Sequence, residues 1–250
     1  VYWAVADAGN AAAAYALSAT TGETRLVVNL PVENVDFEDV SVGPCPDLSG
    51  PCVYVGDTGD NDLDRDHVVV YGFPEPVIAD ADPAGSTSLD AVWTLPMAYP
   101  DGESVDVEAF AVLPDASAIV LFEKTTASEA RIFAAKAPWT IAVNDETPPA
   151  QLQHTGVVDT GAGGEGVVTG AAAHWSGRRL ALRTVTKILE FEAATAAGFL
   201  DLSSSTPRQQ LASPDGEGDR GEALSYDGAG TDIVSVAEAD IDEVPVLHRS

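Results

Sequence analysis

The chain contains few basic residues. Only 12 of its 250 residues are Lys or Arg, against 40 Asp or Glu, so the formal net charge is -28 at pH 7. Such a charge repels nucleic acid phosphates and anionic lipid surfaces, and it leaves cations, neutral polymers or basic proteins as partners. We therefore expect no nucleic acid partner. The acidity is typical of a secreted or salt-exposed surface.

Long apolar runs are also missing. No stretch of ~18 apolar residues is free of polar or helix-breaking residues, so the sequence predicts no membrane span. The chain begins VYWAVADAGN, with neither an initiator Met nor a signal peptide, and we interpret it as a processed or partial form.

Cysteine is limited to Cys45 and Cys52. These residues flank PDLSGP, whose Pro and Gly allow a turn that brings the two ends within reach of each other. We predict a disulfide, and with it an oxidising compartment, while two free thiols remain the alternative. Two cysteines without a nearby Cys or His cluster make a poor zinc site.

Helical periodicity is nearly absent, apart from AATAAGF near Phe199, and the remaining pattern of short alternating or apolar runs predicts an all-β protein. One unit recurs four times, and a turn and a second run follow each copy. The first runs are EDVSVG, EAFAVLPD, TGAAAHWSG and EALSYDG. The second runs are VYVGDTGD, IVLFEKT, LALRTVT and IVSVAEAD, and the opening YWAVADAG matches them.

A third run follows in every unit and a fourth in most, as in HVVVYGF and LDAVWTL. Three to four antiparallel strands repeated every ~50 to 70 residues are typical of propeller blades. We predict a single-domain, five-bladed β-propeller with blades over residues 1–34, 35–98, 99–160, 161–212 and 213–250. A β-sandwich is the alternative, but the repeat persists through the first and second strands together.

The first strands alternate large and small residues. Glu108, Phe110 and Val112 share one face, while Ala109 and Ala111 share the other. A face of small residues allows a neighbouring sheet to approach closely, which indicates an inner propeller strand.

The repeat starts in the second strand of blade 1 and stops in the third strand of blade 5. One blade is therefore predicted to be incomplete, which leaves unpaired strand edges. Either the native chain extends beyond residues 1 and 250, or a neighbouring molecule supplies a strand.

Acidic residues recur where the first strands begin and the second strands end. These points lie at the same edge of an antiparallel hairpin, so propeller symmetry gathers them around one mouth of the central channel. Crowded carboxylates raise one another's pKa unless a cation balances them, and calcium accepts six to eight oxygen ligands with tolerant geometry. The predicted calcium ligands are Asp7, Glu38, Asp57, Asp60, Glu108 and Glu222. Arg183 on the same face is a candidate contact for an anion.

The loop GDTGDNDLDRD is not an EF-hand. Counted from Asp60, acidic residues alternate as that motif requires, but Arg65 stands where it needs Gly and Tyr71 where it needs Glu. The alternative to a calcium site is that these acids cap turns and fasten adjacent blades.

The motifs DFED at residues 36–39 and GDTGDN at residues 56–61 resemble a family of secreted bacterial propellers, many of them actinobacterial. The later VDVEAFAV, VTGAAAH and GEALSYDG are similar to that family's blade openings, so the resemblance covers nearly the whole chain. It implies propeller architecture and export rather than a particular activity. The E-S-[GS]-[LM]-A-like strand with which members usually open is absent here.

Three functions agree with this pattern. The first is an extracellular, non-catalytic binding or structural propeller, stabilised by calcium and open to a protein or polymer partner. The second is a calcium-dependent hydrolase of phosphoesters or glycosides at the same face, with Arg183 as an anion contact or Glu108 and Glu222 as paired carboxylates. The third is a repeating subunit of a surface assembly. The histidines share no motif, no GxSxG elbow is present, and GAGGEG lacks the Lys-Ser/Thr of a phosphate loop.

Overall fold

The computed structural model describes residues 1–79, 83–142, 147–161, 166–212, 221–237 and 248–249; of residues 221, 222, 237, 248 and 249 only the backbone is described. This part of the chain contains 20 strands in five sheets, with short 3₁₀ helices at Pro100–Gly102 and Ala196–Leu200. The second of these helices falls on the AATAAGF segment. The all-β prediction is confirmed.

Each sheet is built mainly from consecutive strands. The first contains β1 (Tyr2–Val5), β2 (Ala13–Leu17), β3 (Thr24–Asn29) and β7 (Gly85–Ser88). The second contains β4 (Phe37–Pro44), β5 (Pro51–Asp57), β6 (Val68–Pro74), β8 (Trp93–Ala98) and β12 (Ala150–Gln151). The third contains β9 (Ala109–Val112), β10 (Ala118–Phe122), β11 (Glu129–Lys136) and β13 (Gln153–Asp159).

The fourth sheet contains β14 (Val168–Ala173), β15 (Arg179–Thr184), β16 (Lys187–Glu192) and β17 (Gln209–Ala212). The last sheet, with three strands, contains β18 (Gly221–Tyr226), β19 (Ile233–Ala237) and β20 (His248–Arg249).

The sheets follow one another as propeller blades. The inner strands β4, β9, β14 and β18 contact one another in that order, and β1 contacts β4. The four sheets with four or five strands are four blades of a propeller, so the predicted propeller architecture is confirmed for these four sheets. The three-stranded sheet packs against β14, and the predicted count of five blades stays a prediction.

Two outer strands join a blade other than the one predicted from their sequence position. Strand β7 lies within residues 35–98, yet it pairs in parallel with β3 of the first blade. Strand β12 lies within residues 99–160, yet it pairs in parallel with β8 of the second blade. In both cases the strand extends the outer edge of the preceding blade.

The hydrophobic core lies between successive blades. Ala109 and Ala111 face the fourth sheet, whereas Phe110 and Val112 on the opposite face pack against the second. The predicted alternation is therefore confirmed: each inner strand contributes to two separate layers of core. Similar layers lie between the first and second blades and between the fourth blade and the three-stranded sheet.

Cys45 and Cys52 form the predicted disulfide, with their Cα atoms 4.9 Å apart. Both cysteines are buried, and the bond closes the turn between β4 and β5. No helix in the described ranges has the length and hydropathy needed to cross a bilayer.

Candidate metal centre

The inner strands begin with a repeated β-bulge. In β4 the pairing register shifts between Phe37 and Asp39, so that Glu38 is the extra residue. Thr169 occupies the same position in β14, and Glu222 occupies it in β18. Bulges re-aim side chains and are frequent beside functional sites. The side chain of Glu222 lies outside the described part, so its predicted role as a ligand stays a prediction.

Three carboxylates converge at this end of the inner strands. One ligand oxygen from each of Asp7, Asp36 and Glu38 lies within 4.8 Å of the others. We call the group formed by these residues with Asp106 and Glu108 the acidic mouth. Asp7 and Glu38 were predicted as ligands, whereas Asp36 was not.

The segments that carry these acids are fastened to each other by Asn34. Its side-chain amide donates to the backbone oxygens of Ala6 and Asp7 at 3.1 and 3.0 Å, and its Oδ1 accepts from Phe37 N at 3.0 Å. The turn after β1 is thereby held against the start of β4. Asp7 of the first blade thus lies beside the carboxylates of the second.

Gly59 leaves the space in which two of the carboxylates lie. A Cβ atom at this position would collide with Glu38 Oε1 and Asp36 Oδ2. The second glycine of the GDTGDN motif therefore allows the close approach of the two acidic side chains, and a Cβ atom there would displace their carboxylate ends.

Burial and like charge make ionisation of this cluster costly. Burial, followed by the charges of Glu108, Asp36 and Asp7, raises the pKa of Glu38 to about 10. The pKa of Asp36 is also raised, first by burial and then by Asp7. A hard divalent cation would remove this penalty, and carboxylate oxygens are the ligands that calcium prefers.

A second acidic pair has its cation within the protein. Lys124 Nζ forms an ion pair with Glu108, lies 3.5 Å from Asp106 Oδ2 and donates to Asn61 Oδ1 at 3.2 Å. Burial still raises the pKa of Glu108, although Lys124 opposes this effect. The predicted ligand Glu108 is thus in the acidic mouth but is occupied by an ammonium group.

Asp57 and Asp60 fasten the chain around the mouth. Asp57 accepts from the backbone N–H groups of Val35 and Asp36 at 3.3 and 3.1 Å, and it pairs with Arg65 at 2.8 Å. Asp60 accepts from the backbone N–H groups of Asp64 and Arg65 at 2.9 and 3.2 Å. These contacts agree with the turn-capping interpretation of both residues, and their calcium ligation stays a prediction.

Asp39 ties three blades together deeper in the channel. Its Oδ2 accepts from Phe110 N of β9 at 3.0 Å and from Ala171 N of β14 at 3.2 Å, while Oδ1 accepts from Val40 N at 2.8 Å. The residue is 4% exposed, and burial raises its pKa to about 7 despite these three donors.

Arg183 is fully buried on β15, and its predicted contact with an anion stays a prediction. Glu123 at the end of β10 pairs with Arg131 at 2.8 Å. Sequence reasoning missed Asp106 and Lys124 as members of the mouth. A signal was present, since the D-x-E pattern of Asp36 and Glu38 recurs in Asp106 and Glu108.

No protein-family model matches the chain, and no curated protein matches it. Among solved structures, the chain is similar to the structure of the Dos1 propeller, with a TM-score of 0.41 and 11% sequence identity over 94% of this chain and 51% of that one. The chain thus spans about half the length of that structure.

Proposed function

We propose that the protein is an extracellular, non-catalytic binding or structural propeller in which a calcium ion bound at the acidic mouth stabilises the ring. The observation that carries the proposal is the contrast between two D-x-E pairs. Asp106 and Glu108 share the ammonium group of Lys124. Among the described residues, no Lys or Arg forms an ion pair with Asp36 or Glu38.

The position of the site favours a stabilising role. Asp7 follows β1 of the first blade, whereas Asp36 and Glu38 lie at the start of the second blade. An ion held by all three would join two blades and oppose their separation. Binding to the folded state alone stabilises it by mass action, because the unfolded chain cannot assemble ligands from separate segments.

The proposal includes a fifth blade formed by β18, β19 and β20. Strand β18 carries the same bulge as β4 and β14, and it packs against β14 in the way that β14 packs against β9. Leu224 and Ile233 share a core layer with Ala181 and Ile188 of the fourth blade. A crystal structure tests the count, because five sheets around one axis are expected and an open four-bladed array would contradict it.

The extracellular assignment is supported by the buried disulfide, which requires an oxidising environment to form and persist. Thiol labelling of the natively expressed protein tests it. We expect Cys45 and Cys52 to be unreactive until the protein is unfolded and reduced. Labelling of both residues after unfolding without reductant would contradict the assignment.

Thermal melting after EDTA treatment tests the calcium site. At free calcium near one hundred times its Kd, a single site adds about 2.7 kcal/mol, which raises the Tm of a chain of this size by about 5–10 °C. Magnesium at the same ionic strength is expected to have a smaller effect, because it demands stricter octahedral geometry.

The variant Glu38→Gln and its control Asp62→Asn make this test specific. Both replace a carboxyl group by the amide of the same size, but Asp62 is exposed on the neighbouring loop. We expect the first to abolish most of the calcium-induced shift and the second to retain it. An absent shift in the wild-type protein, or an equal loss in both variants, would contradict the site.

A further inference from the structure

The opposite mouth of the channel contains a cavity of about 450 Å³. Its walls come from the later parts of β4, β14 and β18, from residues that follow β9, β14 and β18, from Gly50 and Pro51 at the start of β5, and from Trp3 of β1. Cavities of roughly 300–1,000 Å³ are usual for small-ligand sites. The acidic residues lie at the beginnings of the same strands, so the two sites are separate.

The wall of this cavity is largely apolar and aromatic. Trp3, Trp175 and Tyr226 line it together with Val42 and Pro114. We call this group the aromatic mouth. Tryptophan and tyrosine faces carry negative electrostatic potential, and apolar walls of this kind surround most small-ligand sites.

Trp175 is exposed but held in place. Its side chain is 68% exposed, and its ring packs on His174 with centroids 4.7 Å apart. Gly230 has a positive φ of 68°, and a side chain there would collide with both His174 and Trp175. Because the backbone turn and the two rings fit together in this way, the indole needs little further ordering when a ligand binds.

The charge of the lining favours a cation. Of the described residues that line the cavity, none is Lys, Arg or His, and one, Asp227, carries a carboxylate. Asp227 is fixed by the backbone N–H groups of Thr231 and Asp232, which donate to its Oδ1 at 2.8 and 3.2 Å. The net charge of -28 adds a negative field that repels anions.

The protein itself places a cation on this aromatic cluster. The guanidinium carbon of Arg179, just outside the cavity, lies 5.2 Å from the centroid of the Tyr226 ring. Arg179 is balanced by Glu190 at 3.2 Å, and Glu190 also accepts from the Tyr226 hydroxyl at 3.0 Å. The rings of Trp3 and Trp175 have no such partner among the described cation–π contacts.

We propose that the aromatic mouth binds a small organic ammonium ion with methyl or other apolar substituents, of the quaternary ammonium class. Such an ion has a weak hydration shell, so its charge can approach indole faces while its methyl groups pack against Val42 and Pro114. A hard metal ion prefers several carboxylate ligands, and Asp227 is the one carboxylate residue among the described residues that line the cavity. This site goes beyond the calcium-stabilised propeller proposed above and does not depend on it.

Choline and its uncharged isostere 3,3-dimethylbutan-1-ol are the probes that test the proposal. Both are titrated into the full chain at constant ionic strength, once in EDTA and once in calcium, while tryptophan fluorescence and titration calorimetry are recorded. We expect saturable choline binding, and about tenfold weaker binding of the isostere, because cation–π contacts contribute about 0.5–2 kcal/mol each. Calcium is expected to leave choline binding unchanged.

Three substitutions assign the binding to the aromatic mouth. Trp175→Ala is expected to weaken choline binding about fivefold or more, while Trp175→Phe, which keeps a ring, retains part of it. Glu38→Gln is expected to have no effect, which excludes binding at the acidic mouth. The proposal is overturned if choline does not saturate, if the isostere binds equally well, or if Glu38→Gln rather than Trp175→Ala removes binding.

Discussion

The two mouths of the channel are formed by opposite ends of the same inner strands, yet their chemistry differs. At the beginnings of the strands, bulges and D-x-E patterns gather Asp36, Glu38, Asp106 and Glu108. At the ends, turn residues and aromatic rings surround an apolar cavity. A repeated strand can thus contribute to one kind of site at its start and to another at its end, because its two ends do not contact each other.

Between the mouths, Asp39 is the point at which the blades are tied together, and its loss has the largest expected effect. Asp39→Ala leaves three backbone N–H groups of three blades without their acceptor, and we expect a loss of about 3 kcal/mol or more in the free energy of unfolding. Asp39→Asn keeps a carbonyl acceptor and should cost less. Urea denaturation measures both. Equal stability of Asp39→Ala and the wild type would contradict the role of this residue.

Loss of the disulfide is expected to affect the aromatic mouth and not the acidic mouth, because Gly50 and Pro51 of the loop that it closes line the aromatic cavity. Replacing Cys45 and Cys52 together by Ser is expected to lower the free energy of unfolding by about 2–3 kcal/mol, since the cross-link restricts the unfolded chain. Choline binding should weaken while calcium binding persists. Thermal melting in the presence of calcium or of choline measures both effects. Loss of calcium binding with choline binding retained would contradict the expected difference between the two mouths.

Substitution of Gly59 is expected to disturb the acidic mouth and to leave the aromatic mouth intact. Gly59→Ala places a methyl group where Glu38 and Asp36 lie, so we expect a loss of about 1–3 kcal/mol and weak or absent calcium stabilisation. Choline binding should remain. Gly85→Ala is the control for the methyl group, because Gly85 is exposed on β7 and its Cβ position has only Pro83 O nearby, at 3.9 Å. A calcium response of Gly59→Ala equal to that of the wild type would contradict the arrangement.

The pH dependence of stability follows from the same carboxylates. The folded-state pKa values of Glu38 and Asp39, about 10 and about 7, lie above the unfolded values of about 4. The folded protein therefore binds more protons than the unfolded chain above about pH 4, and the free energy of unfolding falls as pH rises through this window.

In EDTA we expect the protein to be less stable at pH 8 than at pH 5, by about 1 kcal/mol or more after allowing for solvent screening. Calcium should reduce this difference, because it replaces the protons. The substitution Glu38→Gln should reduce the dependence of the free energy of unfolding on pH. Thermal melts at constant ionic strength measure it, and a Tm that rises steadily with pH in EDTA would be incompatible with these pKa directions.

Trp175 has the smallest expected effect on stability. Because its ring is largely exposed, Trp175→Ala should change the free energy of unfolding by less than about 0.5 kcal/mol and leave calcium affinity unchanged. The same variant should bind choline about fivefold or more weakly than the wild type. Denaturation measures the first expectation and calcium titration the second, and a changed calcium affinity would show that the two mouths are not independent.

The fold could be predicted because the alternation in residues 108–112 and the repeated strand order are local and recur along the chain. The acidic mouth could be predicted in outline because equivalent strand ends must lie together. The choice of Lys124 for Glu108, and of Arg65 for Asp57, depends on side-chain reach across loops, which no spacing reveals.

The aromatic mouth could not be predicted for a different reason. Trp3, Trp175 and Tyr226 come from distant segments with no common motif, and only the ring of blades brings them to one cavity. Strands β7 and β12 lie within the predicted ranges of the second and third blades but pair in parallel with strands of the first and second. The sequence of such a short outer strand carries little information about its partner.

We propose that Asp7, Asp36 and Glu38 form a calcium site. Calorimetric titration of calcium into the EDTA-stripped protein tests it most directly, with Glu38→Gln and Asp62→Asn measured beside the wild type. The account predicts one saturable site per chain in the wild type and in Asp62→Asn, and at least about tenfold weaker binding in Glu38→Gln. The absence of saturable binding, or equal affinity in all three proteins, would contradict it.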